Sequence, residues 1–169
     1  LIAAAFVRLR AALDAAAVSS LYRTKPLYVA DQPDFFNAAV VGLYAGTAFE
    51  LLAFVNAVEA EFGRDRLHGR RRGERTLDID ILLFGGRVIA EPPRLVVPHP
   101  GLLERRFALE PLLELWPDAV DPRDGRPLAL AAAALPDQGI YYAGAASYNP
   151  DNGNHRRRDC RTQFPAQGI

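Results

Sequence analysis

Methionine is absent from all 169 residues, the first position included, and cysteine occurs once, at Cys160. A single cysteine excludes an internal disulfide framework and a cysteine-built zinc site, and it fits a reducing compartment. Lysine is almost missing as well: Lys25 stands alone among 20 basic residues. Together with the abundant alanine, that preference for arginine reads as the bias of a GC-rich genome. Neither sign of charge prevails, with 20 Lys+Arg against 20 Asp+Glu. Bulk attraction to nucleic acid or to an anionic membrane is therefore not expected, although a local patch remains open. No apolar run approaches the roughly 18 residues of a membrane span. The apolar opening, Leu1 to Val7, has its arginines after it, the reverse of a secretory signal. Three phosphate or nucleophile signatures are also missing, G-x-x-x-x-G-K-[ST], G-x-G-x-x-G and G-x-S-x-G, so any phosphate chemistry is not that of a P-loop protein. These absences predict a soluble, cytoplasmic protein.

The chain does have single-domain length and 50% hydrophobic residues, enough to bury a sizeable core. Ile2, Phe6, Leu9 and Leu13 share one face of a helix read over residues 1–14. Strands are expected over 15–23, 35–44 and 75–84, the last turning at Gly85-Gly86 into Val88-Ile89. Thr47 and Glu50 form a capping box for a helix that presents Leu51, Leu52, Val55, Val58 and Phe62 and stops at Gly63. Residues 91–100 read as loop or edge, 102–115 as a helix that Pro111 kinks or splits, 121–127 as a turn and 128–135 as a short helix. Residues 1–142 thus form the domain, and 143–169, without apolar periodicity, a disordered or foreign tail. Hairpins mixed with helices predict an α+β sandwich, one mostly antiparallel sheet with helices packed on it.

The chemistry concentrates in Arg75-Thr76-Leu77-Asp78-Ile79-Asp80-Ile81. On a strand the apolar residues face one way and Asp78 and Asp80 the other, about 7 Å apart. Asp is depleted in strands and like charges on one face repel, so a cation is expected between them. Mg²⁺ suits this, since it takes one or two carboxylates and completes its shell with water and phosphate oxygens. The alternation alone is equally compatible with a half-buried strand carrying two solvated carboxylates. Six arginines in the preceding twelve positions (Arg64, Arg66, Arg70, Arg71, Arg72 and Arg75) favour a metal-bound polyphosphate. Arg70 to Arg72 read as a solvated loop, and Arg75, beside the strand, as functional.

Two further clusters flank this one. Arg94, His99 between Pro98 and Pro100, Arg105 and Phe107 group a histidine with two arginines, suited to contacting phosphate or a leaving group; the plainer reading is a solvated helix face with Phe107 in the core. Tyr22-Arg23-Thr24-Lys25-Pro26-Leu27 and Asp31 to Asn37 lie at strand ends, with Phe35 and Asn37 on one face. A flat aromatic beside an amide suits a planar heterocycle; core packing for Phe35 and a turn contact for Asn37 serve equally well.

Taken in order, SSLYRTKPL, DQPDFFNAAV, EAEFGRDR, RTLDIDILLFG and VPHPGLLERRFALEPL resemble the 6-hydroxymethyl-7,8-dihydropterin pyrophosphokinase family, from about Val18 to Trp116 and more weakly to Tyr141. The resemblance implies a ferredoxin-like α+β fold, a monomer acting on ATP and a pterin without nucleic acid or membrane, and transfer of pyrophosphate to the pterin hydroxymethyl with release of AMP. It implies Asp78 and Asp80 as ligands of two Mg²⁺ ions, with Arg64 and Arg75 neutralising the transferring group. Glu59, Arg66, Ile81, Arg94, His99 and Arg105 would line the ATP site. Thr24, Pro26, Leu27, Phe35, Asn37 and Phe107 would form the pterin pocket, the two phenylalanines sandwiching the ring. Departures are Glu74 where the family commonly has Pro, Arg72 where Trp is frequent, and Lys25 where Pro is common. The family also opens with a strand and a G-S-N stretch, whereas the match here begins at the following helix. A sheet short of one strand and a pterin pocket short of one wall are therefore expected. The alternatives are a remnant that binds ATP without turnover, and an RNA-binding ferredoxin-like module, for which no RNP-like aromatic run is present.

Overall fold

The computed structural model describes residues 1–24, 34–63 and 77–146. Helix α1 (Ile2–Arg10) buries Ala5 and Leu9 and ends sooner than its periodicity suggests, because β1 begins at Asp14. From there the chain forms one long antiparallel hairpin bent in the middle. Strands β1 (Asp14–Val18) and β2 (Ser20–Thr24) run out; β3 (Phe35–Asn37) and β4 (Val40–Leu43) return, β3 beside β2 and β4 beside β1. The pairing slips by one residue at the bend, from Val18↔Val40 to Tyr22↔Asn37. Ser19 holds this bulge: its N–H donates to the Ala39 carbonyl, and its hydroxyl accepts from the Ala39 N–H, each at 2.9 Å. With Ser19 only 2% exposed, those backbone groups have no water to turn to.

Helix α2 (Ala48–Glu61) starts with the expected capping box: Thr47 Oγ1 accepts from the Glu50 N–H, and Glu50 Oε2 accepts from the Thr47 N–H. It stops at Gly63, whose φ of 87° is a left-handed conformation glycine adopts without steric cost. Val58 of α2 packs with Ala5 of α1 and Leu77, and Arg8 grips Glu61 with two hydrogen bonds of 2.8 and 2.7 Å.

Residues 77–83 are not a regular strand, against expectation. No ladder partner for them exists among the described residues, and a pattern of side chains cannot supply one. The segment is held by other means, the His99 N–H donating to the Leu82 carbonyl at 3.0 Å and the Ile79 N–H donating to a side chain. The Gly85-Gly86 turn forms, with the Arg87 N–H on the Phe84 carbonyl, yet it opens into a different hairpin. Strand β5 (Ile89–Glu91) pairs with β6 (Leu95–Val97) around Glu91 to Arg94, placing Leu95 and Val97 against Ala48, Phe49, Leu52 and Ile81.

The expected helix over 102–115 does split, at Arg105 rather than Pro111. A single 3₁₀ turn (Leu102–Glu104) precedes α3 (Arg106–Leu115), which keeps Pro111 buried within it. Because Pro111 lies in the second turn, it removes only one intrahelical bond, that to the Phe107 carbonyl. Helix α4 (Leu128–Ala134) comes after a turn built on Asp121, which is 2% exposed and clasped by Arg123. Strand β7 (Ile140–Ala145) joins the free edge of β2, giving the order β3-β2-β7. The boundary drawn between 142 and 143 therefore falls inside a strand, because Gly144 and Ala145 pair with Leu21 and Ser20; residues 147–169 lie outside the described segments.

The protein is α+β, with every strand pair antiparallel and grouped in three small sheets among the described residues. Helix α3 packs across β2, β3 and β4, and Leu102, Leu109, Leu112 and Leu128 form the main core. No helix among the described residues is long and apolar enough to cross a membrane.

Candidate active site

Segment 77–81 alternates as its sequence suggests even without a ladder: Leu77 is buried, Ile79 and Ile81 are half-buried, Asp78 and Asp80 are exposed. Two neighbours set that orientation. Glu59, 1% exposed on α2, accepts the Ile79 N–H at 2.8 Å. Ile81 sinks into the cluster formed by Ala48, Leu95 and Val97. The backbone is thus pinned on its inner side, and both carboxylates are presented outward.

His99 and Arg105 converge on Asp80. His99 Nε2 lies 3.7 Å and an Arg105 guanidinium nitrogen 3.6 Å from the same Asp80 oxygen. At these lengths neither is a hydrogen bond, and both Asp80 and Arg105 remain over 40% exposed, so solvent screens their ion pair. The His99 ring is oriented from behind, its Nδ1 accepting the Gly101 N–H at 3.1 Å, which makes Nε2 the nitrogen of the neutral ring that carries hydrogen. Gly101 has a second role. A Cβ there would lie 2.7 Å from Arg105 Nε, so any residue larger than glycine would make the Arg105 side chain shift from its present path toward Asp80. Each arginine here also lies over a phenylalanine ring, Arg94 over Phe49 at 4.3 Å and Arg105 over Phe107 at 5.8 Å.

The donor set fits Mg²⁺. It consists of carboxylate oxygens on a held backbone, and no group of three or more His, Cys, Asp or Glu among the described residues forms a self-sufficient metal cage. An ion bound through one or two carboxylates and completed by substrate phosphates needs no such cage.

A second wall is built on the β3-β2-β7 sheet. Thr24, 7% exposed, stands opposite Phe35, and its Oγ1 accepts from Asn37 Nδ2 at 3.0 Å. Phe35 is 46% exposed, which removes the core-packing reading of this ring. Phe107 sits in the first turn of α3. That helix is fastened to β2 by Glu114, whose carboxylate accepts from the Ser20 N–H at 3.0 and 3.1 Å, from the Ser20 hydroxyl at 2.9 Å and from the Tyr22 hydroxyl at 2.9 Å. Burial first, and Glu114 second, push the Tyr22 phenol up to about 12, so it remains a donor at neutral pH.

Of the residues singled out from sequence, Asp80, His99 and Arg105 meet in one place, and Glu59 and Ile81 hold the same segment from beneath. Arg94 joins them through Phe49, and Thr24, Phe35 and Asn37 share the second wall. Pro26, Leu27, Arg64, Arg66, Arg70, Arg71, Arg72 and Arg75 lie outside the described residues. Three residues escaped the sequence reading. They are Phe49, which precedes the stretch read as the apolar face of α2, Gly101 and Glu114. None of the three carries a local signal of its role, because each acts through a residue distant in sequence.

Comparison with known proteins identifies relatives of the chain. The model of the 7,8-dihydro-6-hydroxymethylpterin-pyrophosphokinase family matches residues 1–117. The chain is 46% identical over 143 residues to a 2-amino-4-hydroxy-6-hydroxymethyldihydropteridine pyrophosphokinase of Pseudomonas aeruginosa, covering 79% of this chain and 85% of the relative. The protein of the same name in Bacillus subtilis is 43% identical over 113 residues, 67% of this chain and 66% of its own. Folic acid synthesis protein fol1 of Schizosaccharomyces pombe is 42% identical over 123 residues, 73% of this chain, which spans only 16% of that longer protein. With most of its length matched by the family model, the chain belongs to the 7,8-dihydro-6-hydroxymethylpterin-pyrophosphokinase family.

Proposed function

We propose that the chain transfers the terminal pyrophosphoryl group of ATP to the hydroxymethyl oxygen of 6-hydroxymethyl-7,8-dihydropterin. The new bond joins that oxygen to the β-phosphorus of ATP, the bond from the β-phosphorus to the α,β-bridging oxygen breaks, AMP leaves with the bridging oxygen, and the hydroxyl proton is released to solvent. Asp78 and Asp80 would hold two Mg²⁺ ions against the triphosphate. When bound, Mg²⁺ neutralises phosphate charge and keeps the triphosphate in a fixed geometry.

The protein's own groups do the remaining work. His99 and Arg105 aim N–H donors at the region beside Asp80 where phosphate oxygens would lie. Glu59 keeps the carboxylate-bearing backbone from shifting. Ile81 and Arg94 serve the nucleotide, together with Arg66, and Arg64 and Arg75 are assigned to charge developing on the transferring group. Thr24, Phe35, Asn37 and Phe107, with Pro26 and Leu27, hold the pterin, a flat ring between aromatics with an amide at its edge. No strong base is required: an alcohol held in line with an electrophilic phosphorus reacts through positioning and charge stabilisation.

The observation that carries this reading is the convergence of His99 and Arg105 on an outward-facing Asp80. The test is AMP release from ATP and Mg²⁺ with and without the pterin, using Asp78→Ala as control. AMP that depends on the pterin and disappears in the variant is the expected result. ATP binding without pterin-dependent AMP would instead indicate a nucleotide-binding remnant.

A further inference from the structure

We infer that Phe49 is a positioning residue for nucleotide binding: its ring fixes the plane of the Arg94 guanidinium and leaves the full charge of that group available to ATP. This rests on the assignment of Arg94 to the ATP site and goes beyond it to a residue that would not touch the nucleotide.

The geometry begins in α2. Phe49, Leu52, Asn56 and Glu59 are spaced at intervals of three, four and three, which places them along one helix face. At one end of that face Glu59 accepts the Ile79 N–H, and in the middle Leu52 packs in the cluster that holds Ile81. At the other end Phe49 belongs to the same cluster, and the Arg94 guanidinium carbon lies 4.3 Å from its ring centroid. Arg94 reaches there from the tight β5–β6 turn, where its own N–H donates to the Glu91 carbonyl at 2.8 Å. One helix face therefore supports the carboxylate segment, the apolar floor and the arginine together.

The kind of contact matters. A free arginine samples many rotamers and loses that freedom when a ligand binds, whereas one laid on a ring has lost part of it beforehand. A carboxylate partner would hold Arg94 too, but it would neutralise the cation and compete with phosphate or other acceptors. A ring face attracts the guanidinium through its quadrupole without neutralising its charge. Arg94 is exposed, so its outer face and its donor edges stay accessible.

The experiment compares steady-state kinetics of Phe49→Leu, Phe49→Tyr, Arg94→Ala and the Phe49→Leu/Arg94→Ala double variant of the full chain, with direct titration of a non-hydrolysable ATP analogue and Mg²⁺. Leucine keeps apolar volume in the cluster but has no ring face. Phe49→Leu is expected to raise the KM for ATP and the analogue Kd about threefold to tenfold, with kcat and the pterin KM unchanged and Phe49→Tyr close to wild type. In the Arg94→Ala background the same substitution should add nothing. A Phe49→Leu effect of equal size without Arg94, or no effect while Arg94→Ala weakens ATP, overturns the inference and leaves the ATP-site assignment standing. Unchanged ATP binding in Arg94→Ala overturns the assignment itself.

Discussion

The two walls of the site are fastened by different forces. On the side proposed for the nucleotide, segment 77–83 has no ladder among the described residues. It depends on burial of Leu77, Ile79 and Ile81 and on two backbone hydrogen bonds, one to Glu59 and one to the loop that carries His99. On the side proposed for the pterin, β2 lies between β3 and β7 with ladders on both edges, and donates four hydrogen bonds to the Glu114 carboxylate of α3. Apolar contact fixes depth but tolerates small displacements, whereas hydrogen bonds are directional and fix position. The contrast suits the proposed tasks: a charged, flexible polyphosphate would meet long arginines that can adjust, and a rigid planar ring would meet a wall that cannot.

The comparison can be broken most forcefully at Asp80. Asp80→Asn should lower pterin-dependent AMP release about a hundredfold or more, since a proposed Mg²⁺ ligand is lost. The melting temperature should move little, because the side chain is exposed and its ion pairs are screened. A large loss of folding would mean that Asp80 serves the fold instead.

Glu114→Ala tests the directional wall. It removes the acceptor for Ser20 and Tyr22, at a cost of about 1–2 kcal/mol, and should raise the pterin KM several-fold while the ATP KM stays constant. Tyrosine absorbance supplies an independent readout. With Glu114 gone, the Tyr22 phenol should titrate below its present value of about 12, although burial still holds it above an ordinary tyrosine. Equal changes in both KM values would show that α3 and β2 are not specific to the pterin wall.

Gly101→Ala sharpens the other side. The added methyl displaces Arg105 from its path to Asp80, so kcat is expected to fall several-fold with the pterin KM preserved and thermal stability near wild type. An unchanged kcat would mean that the Arg105 position relative to Asp80 carries no catalytic weight.

Asp121 belongs to neither wall and should have the smallest effect on activity. The Arg123 guanidinium, with help from a backbone N–H, holds its carboxyl below the usual carboxylate range against the opposing effect of burial. A lowered native pKa contributes stability above the unfolded value, about 3.9, and that contribution disappears as pH falls through the native value. Asp121→Asn should therefore cost about 1–2 kcal/mol in urea unfolding at pH 7, progressively less at pH 4 and below, with both KM values unchanged.

Much of this was readable in advance because it is local. The capping box of α2 needs only Thr47 and Glu50, the stop at Gly63 needs only a residue that accepts positive φ, and the outward alternation of Asp78 and Asp80 needs only an extended backbone with one apolar side. Those patterns by themselves determined the α+β class, the extended segments on either side of residues 25–33, and which carboxylates face out. Tertiary structure alone decided the rest. Which strand pairs with β5, where the helix before α3 breaks, and how far β7 extends depend on partners far along the chain. So do the roles of Phe49, Gly101 and Glu114, since a ring beneath a guanidinium, a gap for a folding side chain and an acceptor for a bulged strand exist only once two distant segments meet. Local sequence sets the preferences of a backbone, and packing chooses which neighbours satisfy its hydrogen bonds and charges.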